Sequence, residues 1–504
     1  MRTKVIAVVV VMLIVATSVV AVACHGGSSF AYSPGAYPDT HLTVLGNADS
    51  DEDIDSDDVA LIRSYVESEA RSEYREVYMY DADYNGVIDS EDVALVERIV
   101  DALASGDWSA VGVVHYVNVD KDIAAYDMTK SDKVVTLIAP PLDSVLAMGG
   151  KDLVVGFDSR ITTGKYHSEY ARTFDFSKMT DVGDCNEPSA EAIAKVAKAN
   201  GGVNVVCGTK DSYGPTLESV FAGSDVQVIR IASWEYGGTM YGFMTLAFLL
   251  KLTAGAKAYC EKYYECAELV EKIVSTVDPS KRAAGNVGAA AVYGYSDELS
   301  LLGNYCAEYS NLMTLDPYDS AEAFLQGKNS GGHGDTITSE AVVAMYQKYN
   351  LRNLAIMIGS PFQVYAASGD AQASAANFAS LYAGWCTKIG AETMSGLNVC
   401  ITGYSFSSGV SEVLNRLIHC YWLYNDEFLA YLGVTTQREA QDFIADYVDW
   451  YCEAIGIGDL WSFYGEANGG KAGTLGMNLL YCGEGSPLNI MYGSVSGSID
   501  VGRL

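Results

Sequence analysis

Basic residues are scarce in this 504-residue chain. Thirty-two Lys and Arg face 64 Asp and Glu, a formal net charge of -32. No basic stripe is present to neutralise phosphates, which excludes nucleic acid as a partner. Histidine is rarer still, with six in the chain, so general acid–base chemistry has few candidates. The catalytic signatures are missing too. There is no GxSxG elbow, no HExxH, no P-loop lysine motif and no Rossmann GxGxxG with its acidic partner. Ser405, Ser407 and Ser408 sit in "TGYSFSSGV" near an expected strand end, but no histidine is assigned to them. The expectation is a protein that binds rather than catalyses, with no catalytic cofactor. None of the 11 cysteines shows the paired CxxC spacing of a zinc site. Most lie in apolar stretches, as Cys207 and Cys400 do, and buried thiols and disulfides both stay open.

What is present begins with "MRTKVIAVVVVMLIVATSVVAVAC". A basic start and an uncharged apolar run, residues 1–24, read as an export signal. The ending "AVAC" resembles a lipoprotein cleavage box with Cys24 as the lipidated residue. The alternative is an uncleaved membrane helix. Both place the chain on the extracellular face of the cell membrane, lipid- or helix-anchored. An acidic surface suits such a setting. Residues 25–42, with "HGGSSFAYSPGAYP", read as a flexible linker.

Two stretches then repeat at an offset of 34. "NADSDEDIDSDD" (47–58) runs into "VALIRSYV", and "DADYNGVIDSED" (81–92) into "VALVERIV". A twelve-residue loop with oxygen ligands at positions 1, 3, 5, 7 and 12 suits calcium, a hard cation taking six to eight oxygens. The first loop offers Asn47, Asp49, Asp51, the Asp53 carbonyl and Asp58. The second offers Asp81, Asp83, Asn85, the Val87 carbonyl and Asp92. Position 9, Asp55 and Asp89, acts directly or through water. The second loop has Gly86 at the turn position where the first has Glu52, so the second site is expected to be the stronger. Loop plus one helix, given twice with Asp at position 12, resembles a dockerin module over residues 43–104. "DTHLTVLG" looks extended where an ordinary EF-hand pair would have an entering helix. The resemblance implies a cohesin-domain partner, met by Ser56 and Asp57 and by Ser90 and Glu91.

From residue 132 the pattern alternates between strand and helix. "KVVTLIAP", "LVVGFDS", "VNVVCG" and "VQVIRIA" read as strands. "PLDSVLAMGG", "SAEAIAKVAKAN" and "TLESVFAGSD" read as helices, the second capped by Ser189. Residues 239–278 contain no proline and read as one long helix, on the order of 50 Å, with a possible bend at Gly255. Alternation resumes with "NVGAAAVYGY", "NLAIMIG" and "LNVCITGY" as strands and "SEVLNRLIHCYWLY" as a helix. The expected fold class is α/β: two Rossmann-like lobes, 132–238 and 279–465, joined by that helix, plus a small α-helical dockerin/EF-hand-like module. Residues 466–504 are glycine-rich and either add strands to a lobe or form a tail.

This order of pieces resembles the cobalamin and iron-siderophore class of solute-binding proteins of ATP-binding-cassette (ABC) importers. The pieces are "VVTLIAPPLDSVLAMGGKDLVVGFDS", "DVGDCNEPSAEAIAKV" and "TLESVFAGSDVQVIRI". Later, "DTITSEAVVAMYQKYNLRNLAIMIG" and "GVSEVLNRLIHCYWLYNDEF" match the second lobe. The resemblance implies a cleft between lobes that captures a metal chelate (iron-siderophore, haem or cobalamin-like) for an ABC permease and ATPase. Ligand would then lie where loops leave the carboxyl ends of the strands. Those loops carry Tyr166, His167 and Tyr170, then Tyr213, then Trp234 and Tyr236. In the second lobe they carry Tyr293 and Tyr295, Phe362 and Tyr365, Tyr404 and Phe406. Aromatic faces suit a large planar chelate, and His167 is a candidate axial ligand. Arg160, Lys165, Lys210 and Arg230 lie near the same exits and can pair with an anionic ligand. Asp143 takes the family's first-lobe position for a salt bridge to the permease. The alternative function is a cell-surface scaffold or adhesion protein assembled through dockerin–cohesin pairing.

Overall fold

The computed structural model describes residues 40–163, 170–171, 173–233, 238–278 and 409–456, the strand backbones between 289 and 490, and residues 338, 340, 343 and 344. The chain is a mixed α/β structure with one wholly parallel five-stranded sheet and one mixed seven-stranded sheet.

The repeat gives two helices, α1 (Ser56–Glu67) and α2 (Ser90–Ser105). Each starts with a reciprocal cap. Asp55 and Asp89 take the N-cap position, and Asp58 and Asp92 return a side chain to the cap backbone. These caps offset amides that a helix start leaves unpaired. "HLTVLG" is extended, with Val44 bridged antiparallel to Tyr116. It lies along a hairpin, β1 (Val113–Val117) and β2 (Ile123–Asp127), which the alternation reading did not single out.

The repeat is not a separate body. One continuous apolar cluster runs from Ile54 and Ile99 through Trp108 to Phe248 and on to the C-terminal helices. Trp108 meets Phe248 edge-on at 5.6 Å, and Thr43 and Thr245 share a 2.8 Å hydroxyl hydrogen bond.

The first lobe is a five-stranded parallel sheet in the order β5-β4-β3-β6-β7. Its strands are β3 (Val134–Thr136), β4 (Val154–Phe157), β5 (Thr180–Asp181), β6 (Val203–Cys207) and β7 (Val226–Arg230). The runs are short, apolar and β-branched, as strands covered on both faces require. Helix α3 (Ala139–Ala147) is buried at every residue. Helix α4 (Ala190–Asn200) is capped by Ser189, whose hydroxyl accepts from the Ala192 amide at 3.2 Å. The order reverses between β3 and β6, making that junction the topological switch point.

The single long helix over 239–278 is corrected. The segment forms α5 (Thr239–Leu249) and α6 (Thr253–Ser275). Between them Lys251 sits at φ 61°. The Leu252 amide reaches the Ala247 carbonyl at 2.7 Å and the Lys251 amide the Phe248 carbonyl at 3.0 Å, a paired closure that ends a helix. Gly255 does not bend the chain; it permits contact. A Cβ there would stand 2.1 Å from the Met148 carbonyl oxygen at the end of α3.

In the second lobe β8 (Ala289–Tyr293), β11 (Asn353–Ile358) and β12 (Asn398–Gly403) pair in parallel. Antiparallel β9 (Ser300–Leu302) and β10 (Gly334–Thr336) flank one side. On the other side β13 (Leu480–Cys482) and β14 (Asn489–Ile490) extend the sheet, so the glycine-rich segment contributes strands. Helices α7 (Glu412–Leu423), α8 (Asn425–Leu432) and α9 (Gln437–Ala454) return to pack on α6 and α3.

Candidate functional site

At the switch point the chain leaves β3 through Ile138, whose φ of 73° is costly for a β-branched residue. Asp158, at the end of β4, holds it there. The Asp158 carboxylate, fully buried, accepts from the Ile138 amide at 2.6 Å and from the Arg160 amide at 2.8 Å. Burial pushes the Asp158 carboxyl up, against those hydrogen bonds.

Arg160 sits beside it. Its Nη2 donates to the Asn186 side chain at 2.8 Å, and Asn186 in turn donates to the Ser212 carbonyl at 2.8 Å. Among the described residues Arg160 has no carboxylate within ion-pair distance. Burial lowers the guanidinium's pKa, but Cys185, Asp184, Tyr213 and Asp158 nearby outweigh that and raise it. The group stays charged throughout.

The other expected cations differ. Arg230 is 1 % exposed and fully used: it pairs with Glu218 and donates to the Gly208, Tyr213 and Gly214 carbonyls. It braces the β6 exit and is withdrawn as a ligand contact. The Lys210 amide donates to Asp120. Lys165 lies outside the described residues.

The expected aromatic lining divides in the same way. Tyr170 is buried and donates to Asp143 at 2.6 Å. Tyr213 is 7 % exposed and belongs to the packed face of the sheet. Both are core contacts in this structure. Tyr293 is the last residue of β8, with its side chain undescribed. Tyr166, His167, Trp234, Tyr236, Tyr295, Phe362, Tyr365, Tyr404 and Phe406 lie outside the described residues, as does Cys24. Asp143 is corrected: it is 7 % exposed, beneath Tyr170 and Tyr451, and burial pushes its carboxyl up to about 7. A salt bridge to another protein needs an exposed carboxylate, and this one is enclosed.

The repeat loops supply the second site. In the 81–92 loop one carboxylate oxygen from each of Asp81, Asp83 and Asp92 lies within 4.8 Å of the others. Gly86 turns at φ 90° and Tyr84 at φ 56°. Asp92 is pushed up to about 6 by burial and by the Asp83 and Asp81 carboxylates, against amide hydrogen bonds. Three crowded carboxylates, two of them fully buried, can hold a metal ion. Asn85 is exposed and its amide nitrogen donates to Asp83 at 2.9 Å. The Val87 side chain is exposed.

In the 47–58 loop Ser50 repeats the left-handed turn at φ 64°, but Asp49, Asp51 and Asp58 do not converge as closely. Asp58 accepts from the Ala48, Asp49 and Asp55 amides, and Asp53 pairs with Lys257. Asn47 is fully buried and donates to the Leu42 and Asp51 carbonyls, while its Oδ1 accepts nothing. Glu52, the residue without a glycine's freedom, is buried at 2 % exposure.

No protein-family model matches the chain, and no curated protein matches it. Among solved structures the chain is similar to the TroA-like periplasmic binding protein FepB from Veillonella parvula. That match has 13 % identity and a TM-score of 0.47, over 68 % of this chain and 95 % of that one. The siderophore-binding protein FeuA from Bacillus subtilis, complexed with ferri-bacillibactin, is similar at 13 % identity and TM-score 0.42, covering 62 % and 98 %. A periplasmic heme-binding protein from Pseudomonas aeruginosa is similar at 15 % identity and TM-score 0.38, covering 58 % and 93 %.

Proposed function

We propose that the chain is an extracellular solute-binding protein that holds an anionic metal chelate at the strand exits of its first lobe and delivers it to an ABC permease and ATPase. The observation that carries the reading is the β3/β6 switch point with Arg160 beside it, charged, half-buried and, among the described residues, without a carboxylate at ion-pair distance. A desolvated guanidinium suits carboxylate or catecholate oxygens on a chelate rim. The first-lobe sequence pieces support the same reading. One of the three described histidines is shut away from any substrate. His419 is 3 % exposed with neither ring nitrogen hydrogen-bonded, and burial holds it down to about 3. Such a ring cannot exchange protons with a substrate.

The repeat, on this reading, is a dockerin-like pair of calcium loops. A hard dication with oxygen ligands fits the Asp81–Asp83–Asp92 group, and the ion would add order to both loops and their helices. Ser56, Asp57, Ser90 and Glu91 are all exposed at the helix starts, which favours a second, compatible reading: assembly with a cohesin-domain partner at the cell surface.

The test is native mass spectrometry of the purified protein with ferric tris-catecholate, haem and cobalamin in turn. One of them is expected to add its mass, and Arg160→Ala to weaken that complex by about 10- to 100-fold. If none adds mass, the chelate reading falls.

A further inference from the structure

The two loops of the repeat are not equivalent in charge, and the difference comes from outside the repeat. The 47–58 loop carries seven acidic side chains and the 81–92 loop five. Yet it is the more acidic loop that contains an ammonium. Lys257 on α6 ion-pairs with Asp53, the two side chains being 37 % and 26 % exposed. The neighbours of Lys257 on its helix, Ala256, Tyr259 and Cys260, are buried, so the backbone that carries this cation is fixed. A groove of about 410 Å³ separates loop from helix, and Glu52, Asp53, Asp55 and Lys257 share its lining with Leu103 and Phe248. In the other loop no Lys or Arg pairs with Asp81, Asp83 or Asp92 among the described residues. Arg71 comes near, but donates to the Ile88 carbonyl at 3.5 Å.

A second observation marks the 47–58 loop as a cation site in its own right. Asn47, at the first ligand position, is fully buried, and its Oδ1 is left without a donor while its Nδ2 bonds within the loop. A buried carbonyl oxygen with nothing to accept is costly, and a cation in the loop would satisfy it.

We propose that Lys257 is a built-in counter-cation for the first loop: it holds residues 47–58 folded against α6 when calcium is absent, and it opposes calcium when the ion binds. This rests on the calcium reading of the repeat and extends it to the body of the protein. The two sites then have separate work. The second loop has no internal cation and depends on the ion for its order. In the first, one carboxylate is already paired, so Lys257 weakens its calcium binding and keeps it attached to α6 as calcium comes and goes. By linkage the opposition is mutual: whatever Lys257 costs calcium, calcium costs the Lys257–Asp53 pair. Helix α6 thereby feels the ion.

The experiment is calorimetric calcium titration of the full-length protein in detergent, with Lys257→Gln, Asp53→Asn and, as control, Lys272→Gln. Lys272 lies on the same helix and pairs with Glu268, away from the loop. Two calcium sites are expected in the unaltered chain. Lys257→Gln should tighten the weaker site by about three- to tenfold, the effect of removing one positive charge near a dication at a partly exposed site. The tighter site should not move, and Lys272→Gln should move neither. A second arm reads the brace without calcium. In EDTA, hydrogen exchange at residues 42–58 should quicken in both Lys257→Gln and Asp53→Asn, while residues 81–92 exchange alike in all variants. A weaker site that stays unchanged or loosens in Lys257→Gln overturns the opposition, and unchanged exchange at 42–58 overturns the brace. A chain that binds no calcium at all overturns the calcium reading and this inference together, which the titration of the unaltered protein shows first.

Discussion

A carboxyl group shut away from water gives up its proton late. Asp143 is such a group, enclosed by α3 and by Tyr170 and Tyr451 and pushed from 3.8 to about 7 chiefly by burial, with the tyrosine hydrogen bonds opposing. The folded state therefore takes up a proton that the unfolded chain has already lost. This contribution to stability is complete below pH 3.8 and is lost as pH rises through about 7, a swing on the order of 4 kcal/mol. Urea denaturation of the wild type and Asp143→Asn between pH 4 and 8 is expected to show it. The wild type should lose ground to the variant steadily as pH rises, and a difference flat in pH would refute the burial argument. None of this was legible in "PPLDSV". One acid in a short helix reads as solvent-facing, and only the return of α9 over α3 closes it in. Ser189 was legible, because a cap is a local event. So was the gathering of Asp81, Asp83 and Asp92, because twelve-residue spacing needs no tertiary knowledge.

At the scale of elements, the central strands of the two larger sheets, β3, β4, β6, β7, β8, β11 and β12, were readable as short apolar runs between turns, whereas the two- and three-residue strands β5, β9 and β10 were not. The break at 250–252 was not. It uses Lys251 where glycine is usual, and the Lys251–Asp132 ion pair at 2.6 Å ties that non-glycine turn to the start of the first lobe. The hairpin β1–β2 escaped notice because its alternation is diluted by the acidic turn between its strands. Gly255 was noticed for the wrong reason. It lets α6 approach the last turn of α3 so closely that a methyl would strike backbone. Gly255→Ala is therefore expected to destabilise the protein by about 1–3 kcal/mol despite alanine's better helix propensity, read as a lower urea midpoint at unchanged slope. A stabilised variant would mean that the two helices are not in contact.

For the whole molecule the large acidic excess sets the terms. Carboxylates crowded in the repeat repel, and a bound dication relieves them. Calcium at a hundred times its dissociation constant should add about 2.7 kcal/mol per site, seen as a higher melting temperature than in EDTA by scanning calorimetry. Asp92→Ala removes a proposed ligand and a helix cap together. Its melting point in EDTA should fall modestly, and the calcium-dependent increment should shrink; an increment equal to the wild type's would count against the second loop. The α/β class could be read from the sequence as a pattern of alternation. The union of repeat and body could not, since it depends on Trp108 finding Phe248 across a long stretch of chain.

That union has a practical consequence. Anyone wishing to borrow the repeat as a detachable tag, by cutting the gene after α2, would split an oily seam lengthwise. Each fragment would carry a sticky stripe into water, and the tag and the remainder would sooner clump or find each other again than behave as two independent parts.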